Sequence, residues 1–219
     1  MIKICFKCNV KSPVSRDFLI DIFLTISYNK SEKKRKTQES GADGSRFIKR
    51  RQSRKFTEEA LILSKFFTSR KIFDNVTQIG GLGGELCYLI EGSEKALLID
   101  GLTGVGSLKA FVRECTDLPV TLVLTHGHVD HAGASFEYGE CYVNPADVAL
   151  LYEHGDIDKR YGFVVGGGKP EGAFVPKKED VVPPCAVKTL PVQDGDVFDL
   201  GGVQIEAIAV PGHTVGTMA

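Results

Sequence analysis

His126-Gly127-His128-Val129-Asp130-His131 places three imidazoles and one carboxylate within six positions. Imidazole nitrogen and carboxylate oxygen are donors that borderline cations such as zinc accept readily. The four donors fall at i, i+2, i+4 and i+5. No regular helix or strand sets all four on one face. A tight loop can wrap them around a small volume, one better suited to two neighbouring metal ions than to one. The chain has five histidines and three are here, which separates this loop from one that is merely polar. Pro211-Gly212-His213-Thr214 presents another histidine in a Pro-Gly turn. Alone, His213 would be an ordinary turn residue; with the upstream cluster it reads as a further ligand. A cation held with an open position lowers the pKa of bound water from ~15.7 towards about 7 and polarises a carbonyl or phosphoryl oxygen. Asp130 could bind such a cation and also orient the water.

Both loops follow apolar runs, Val120–Thr125 and Val203–Val210, each read as a strand. If these strands share a sheet, the loops meet at one edge of it. Upstream, Val76–Ile79 reads as a strand, and Leu86–Glu91 with Ala96–Ile99 as a hairpin around Gly92-Ser93. Gly104–Glu114 reads as a helix with Leu108, Phe111 and Val112 on one face. Cys141–Val143 reads as a strand, and Pro145–His154 as a helix with proline in its first turn. His154 then suits the helix C-terminus as a solvated residue. Residues 155–184 read as a long irregular segment in which Arg160, Tyr161, Lys169 and Lys177 could meet an anionic substrate, a solvated loop being the competing reading. Val187–Val192 is a strand, and Val197-Phe198 opens a hairpin leading to the second loop. The alternation of strands and helices indicates a sheet covered by helices. Gly80–Gly84 does not precede a helix, so it lacks the context of a nucleotide-binding loop.

The net charge of −1 hides an asymmetry. Residues 1–70 carry 17 Lys+Arg against 7 Asp+Glu, and residues 71–219 carry 10 against 21. Residues 1–70 therefore read as a basic extension, disordered or adventitious, and residues 71–219 as the catalytic part. Within the extension Lys30–Arg54 is polar, basic and poor in aromatics. The apolar run Phe18–Leu24 is short, interrupted by Asp21 and followed by no small-residue cleavage site, which argues against a membrane span or a signal peptide. Thr57–Phe67 has the marks of a helix, with Thr57 as cap and Glu58-Glu59 in the first turn. The cysteines are scattered, and Cys5-Phe6-Lys7-Cys8 is a lone pair, so free thiols in the cytoplasm are expected.

The H-x-H-x-D-H loop followed by P-G-H-T resembles the metallo-β-lactamase superfamily of hydrolases. The resemblance runs from about Ile72 to Ala219 and includes Tyr88–Gly92 and Ala96–Gly101. It implies an α+β fold, an αββα sandwich, here incomplete at the C-terminus. It implies two divalent metal ions, zinc first, with iron or manganese also compatible. His126, His128 and His213 would hold one ion, and Asp130 and His131 the other, with Asp130 also the catalytic residue. A metal-bound hydroxide would attack an ester, thioester, lactone or amide carbonyl of a small-molecule substrate. A phosphodiesterase or nuclease of the same superfamily, or an inactive metal-binding fragment, are the alternatives. The acidic catalytic part argues against a nucleic-acid partner. Thr125 and Thr214 could hydrogen-bond the ligands, though both also fit plain turns. Members of the family add a bridging aspartate and a last histidine after P-G-H-T. This sequence ends at Ala219 without them, so weak binding of one metal is expected.

Overall fold

The computed structural model describes residues 65–166 and 172–219. The expected Cys5/Cys8 pair, the basic run Lys30–Arg54, Lys169 and nearly all of the expected helix Thr57–Phe67 lie outside these residues. Lys65–Phe67 form a turn whose two phenylalanines are buried in the core.

Seven strands form one sheet in sequence order: β1 Thr68–Phe73, β2 Val76–Gly80, β3 Leu86–Glu91, β4 Ala96–Ile99, β5 Val120–Val123, β6 Glu140–Val143 and β7 Lys188–Pro191. The first four are antiparallel, joined by short turns. From β4 to β7 the pairing is parallel, because each connection now passes through helical segments long enough for a crossover. A second sheet pairs β8 Val197–Asp199 with β9 Gln204–Glu206.

Side chains alternate between the sheet faces, and in the central strands β3 and β4 both faces are buried. Cys87, Leu89, Ala96 and Leu98 face one core with Leu108, Val112 and Leu151. Tyr88, Ile90, Leu97 and Ile99 face a second core capped by Leu200 and Ile205 beside the β8–β9 hairpin. The continuous apolar runs Leu86–Ile90 and Ala96–Ile99 are thus the expected signature of strands covered on two sides.

Helix α1 is Leu108–Cys115, shorter than the expected Gly104–Glu114 at its start. Gly104 and Gly106 have φ of 71° and 80°, outside helical geometry, and Ser107 caps the helix by accepting from Ala110 N at 3.1 Å. After a single-turn helix α2, Ser135–Tyr138, and strand β6, the expected helix Pro145–His154 divides. It consists of a 3₁₀ turn, Pro145–Asp147, and helix α3, Val148–Glu153. The strand expected over Val203–Val210 narrows to β9.

The segment expected to be irregular carries helix α4, Ile157–Gly166. Its glycines and weak apolar periodicity concealed it. Arg160 does not reach out to a substrate: it is wholly buried, and its Nε donates to Gly155 O at 3.1 Å. Tyr161 donates to Pro176 O at 3.4 Å, while Lys177 is exposed.

Among the described residues no helix is long and apolar enough to cross a membrane. Leu98 is fully buried on the helix-covered face. Leu98→Ala should therefore cost about 2–5 kcal/mol of unfolding free energy through lost burial and a cavity. Denaturant titration should show a lower midpoint at unchanged slope.

Candidate metal centre

The strands β4, β5, β6 and β7 run the same way, so their C-terminal ends share one edge of the sheet, the usual place for a site in such sheets. Asp100 follows β4, the His126–His131 loop follows β5, and Asn144–Asp147 follow β6. The Pro211–Met218 loop joins the same edge, with Met218 N donating to Thr125 O at 2.8 Å.

The His126–His131 loop is gripped at both ends by close backbone approach. A Cβ on Gly127 would lie 2.7 Å from Asp147 O and 2.8 Å from Leu151 N. A Cβ on Gly133 would lie 2.1 Å from the Thr103 carbonyl carbon. Backbone bonds Gly101 N to His131 O at 2.6 Å and Gly133 N to Leu102 O at 2.8 Å tie the loop to the strap after β4. That strap is wound tightly: Asp100 and Leu102 have φ of 68° and 51°, a left-handed conformation unusual outside glycine and often found at functional sites.

His126, His128 and His213 converge, each offering one nitrogen within 4.8 Å of the others. His126 is 5% exposed, while His128 is half-buried and His213 exposed. The tautomer of His126 follows from its neighbours. The Thr125 hydroxyl lies 3.0 Å and 2.9 Å from the two Asp100 oxygens, which can only accept. Its single proton goes there, so the hydroxyl accepts from His126 Nδ1–H at 3.0 Å. Nε2 of His126 then bears the lone pair, and this buried atom has no hydrogen-bond partner. Burial, followed by the neighbouring His131, lowers the pKa of His126 to about 3. His128 Nδ1 and His213 Nε2 face each other at 2.9 Å, and burial and His213 lower the His128 pKa as well.

Three imidazoles that share a small volume, one with an orphaned inward nitrogen, fit the donor set of a single divalent cation. Imidazole ligands around one zinc ion stand roughly 3–4 Å apart, so the cluster needs little adjustment.

His131 and Asp130 form the neighbouring pair. His131 Nδ1 donates to Asp100 Oδ2 at 2.9 Å, and its Nε2 lies 3.3 Å from Asp130 Oδ2. Burial opposes charge on both residues. The two carboxylates nonetheless raise His131 to about 10, and the His131 contact holds Asp130 at about 2. A cation at this pair would displace the proton on Nε2.

Thr125 therefore contacts a site histidine and Thr214 Oγ1 lies 2.7 Å from Asp147 Oδ2, so neither is a plain turn residue. Sequence reasoning missed three residues. Asp100 orients both His126, through Thr125, and His131. Asp147 lies between the two loops. His154, expected in solvent, instead stacks on His128 at 5.2 Å between ring centroids, and its Nδ1 accepts from Val129 N at 3.1 Å. Asp100 follows the apolar run of β4, which was the available signal; the other two carry none.

The family profile described as the metallo-beta-lactamase superfamily matches residues 80–219, and the chain belongs to that superfamily. The acyl-coenzyme A thioesterase MBLAC2 of Gallus gallus is 31% identical over 145 residues, 60% of this chain and 50% of that protein. The uncharacterized protein Rv2581c of Mycobacterium tuberculosis is 28% identical over 141 residues, 60% of this chain and 58% of that protein. Among solved structures, BJP-1, a subclass B3 metallo-beta-lactamase of Bradyrhizobium japonicum, aligns at 25% identity with a TM-score of 0.48. That alignment covers 70% of this chain and 55% of that one. The chain spans about half the length of the curated relatives it matches.

The pKa of His131 sets a test on the metal-free chain. Its folded value, about 10, lies above its unfolded value near 6.5. Its stabilising contribution is therefore complete below about 6.5 and is lost as pH rises towards 10. In chelator, the unfolding temperature of the native chain should fall between pH 7 and pH 9 more steeply than that of His131→Gln. Parallel curves would show that His131 carries no such charge.

Proposed function

We propose that this chain carries the metal-ligating residues of a hydrolase that attacks the carbonyl carbon of a small-molecule thioester and breaks its acyl carbon–sulfur bond, releasing a carboxylate and a thiol, with lactones and other esters as weaker substrates. The observation that carries the reading is the convergence of three histidine nitrogens within 4.8 Å, one of them buried and unpartnered. The thioester preference draws on similarity to an acyl-coenzyme A thioesterase.

His126, His128 and His213 would hold one divalent ion, zinc by donor chemistry, with iron or manganese as substitutes. Asp130 and His131 would hold a second. When bound, the ions supply Lewis-acid polarisation of the carbonyl oxygen and acidify water. The chain's own residues do the rest. Asp100 fixes His131 directly and His126 through Thr125, so that each ring presents Nε2 to the site. Asp130 would ligate the second ion and orient water through its carboxylate oxygens. The stacked ring of His154 limits rotation of His128.

The test is a panel of one acyl-coenzyme A thioester, one lactone and one phosphodiester, assayed with the zinc-loaded chain. Thioester cleavage that falls more than about a hundredfold in both His128→Ala and Asp130→Ala is the expected result. Turnover that survives both substitutions, or survives removal of metal by chelator, would refute the metal mechanism. Cleavage of the phosphodiester alone would move the chain to the phosphodiesterase reading.

A further inference from the structure

Asp147 lies between the two ligand loops and is 2% exposed. Its Oδ2 accepts from Gly127 N at 3.0 Å and from the Thr214 hydroxyl at 2.7 Å. Its Oδ1 accepts from Gly216 N at 2.9 Å. Gly127 stands between His126 and His128, and Thr214 directly follows His213. One carboxylate thus bonds to immediate neighbours of all three converging histidines, Gly127 and Thr214, across sequence separations of 20 and 67 residues, and to Gly216 further along the second loop.

The position alone would suggest a different task. Asp147 occupies the N-cap of α3, where an aspartate ordinarily accepts from the first-turn amides. Here its side chain makes no capping bond. Both oxygens are turned to the loops instead. Nor is it part of an ion pair: among the described residues no lysine, arginine or histidine lies within salt-bridge distance of it. A buried carboxylate without a cationic partner is costly unless donors satisfy it. The three donors that do so all come from the loops that carry the histidines. The fit is close, since a Cβ on Gly216 would lie 2.8 Å from Asp147 Oδ1.

We propose that Asp147 is a positioning residue for the metal centre, one that sets the distance between the His126–His128 pair and His213. The proposal rests on the reading of the three histidines as a metal site. Outer residues that orient ligands commonly control metal affinity by 10–100-fold on substitution. Asp147→Asn keeps the shape but replaces one acceptor oxygen with an N–H₂ donor, which would face a backbone N–H or the Thr214 hydroxyl. Thr214→Val removes the Asp147 bond on the His213 side, together with the Thr214 contact to Thr217 Oγ1 at 2.7 Å.

The experiment measures zinc affinity of the native chain, His128→Ala, Asp147→Asn and Thr214→Val by competition with a chromophoric chelator. Cobalt(II) spectra of the same proteins and unfolding temperatures of the metal-free forms accompany it. The expected result is zinc binding by the native chain that His128→Ala abolishes. Affinity should fall about 10–100-fold in Asp147→Asn and by a smaller factor in Thr214→Val, with an altered cobalt(II) spectrum in both. A metal-free Thr214→Val that still unfolds cooperatively well above the assay temperature would show that the lowered affinity is read on a folded chain, whatever the stability cost of the two lost hydroxyl contacts. If Asp147→Asn does not fold, Thr214→Val decides alone: weaker zinc binding supports the proposal and native affinity overturns it. Native affinity and an unchanged cobalt(II) spectrum in a folded Asp147→Asn also overturn it, leaving the metal site standing. A native chain that binds no zinc at these histidines overturns both.

Discussion

The site depends first on the carboxylate of Asp100. It accepts from Thr125 N at 2.8 Å, from the Thr125 hydroxyl and from His131 Nδ1 at 2.9 Å. Through the hydroxyl it dictates which nitrogen of His126 keeps its proton, and directly it dictates the same for His131. Without that anchor, neither ring has a reason to turn Nε2 inward. The left-handed backbone at Asp100 is consistent with this role, because strain at a strand end is tolerated where surrounding bonds over-determine it.

Around the anchor, the parallel half of the sheet does the assembling. Each of its strands delivers its following loop to the same edge, and β4 and β5 place residues in both cores, so these two strands cannot shift relative to one another without opening a core. Gly127 and Gly133 let the histidine loop settle directly on neighbouring backbone. The loop therefore borrows the rigidity of strands and helices although it has no regular structure of its own.

The reactive side chains were legible in the sequence because their types and spacing are unusual in themselves. Three histidines in six positions require an explanation wherever they fold. The central strands were legible because two-sided burial demands uninterrupted apolar runs. Asp100, Asp147 and His154 were not. An aspartate after a strand, an aspartate at a helix start and a histidine at a helix end each have an ordinary local use, and their actual contacts lie 20 to 69 residues away. Arg160 shows the opposite error. A positive charge in a glycine-containing segment suggested contact with an anionic substrate or with solvent, but its guanidinium braces Gly155 and Val182 from within. Local pattern reports what a residue type prefers; the partners it finds depend on the topology.

The three converging histidines differ in depth: His126 lies at the bottom, His128 midway and His213 at the surface. That gradient gives the cluster a direction. An ion arriving from water would meet the outer imidazole first and exchange its hydration shell stepwise as it descended. Departure would reverse the order, with the deepest bond breaking first and the outermost last. The Pro211–Thr214 turn, exposed along most of its length, is thus the outer rim of the cluster, and the Thr214 and Gly216 bonds to Asp147 hold that rim to the deeper loop.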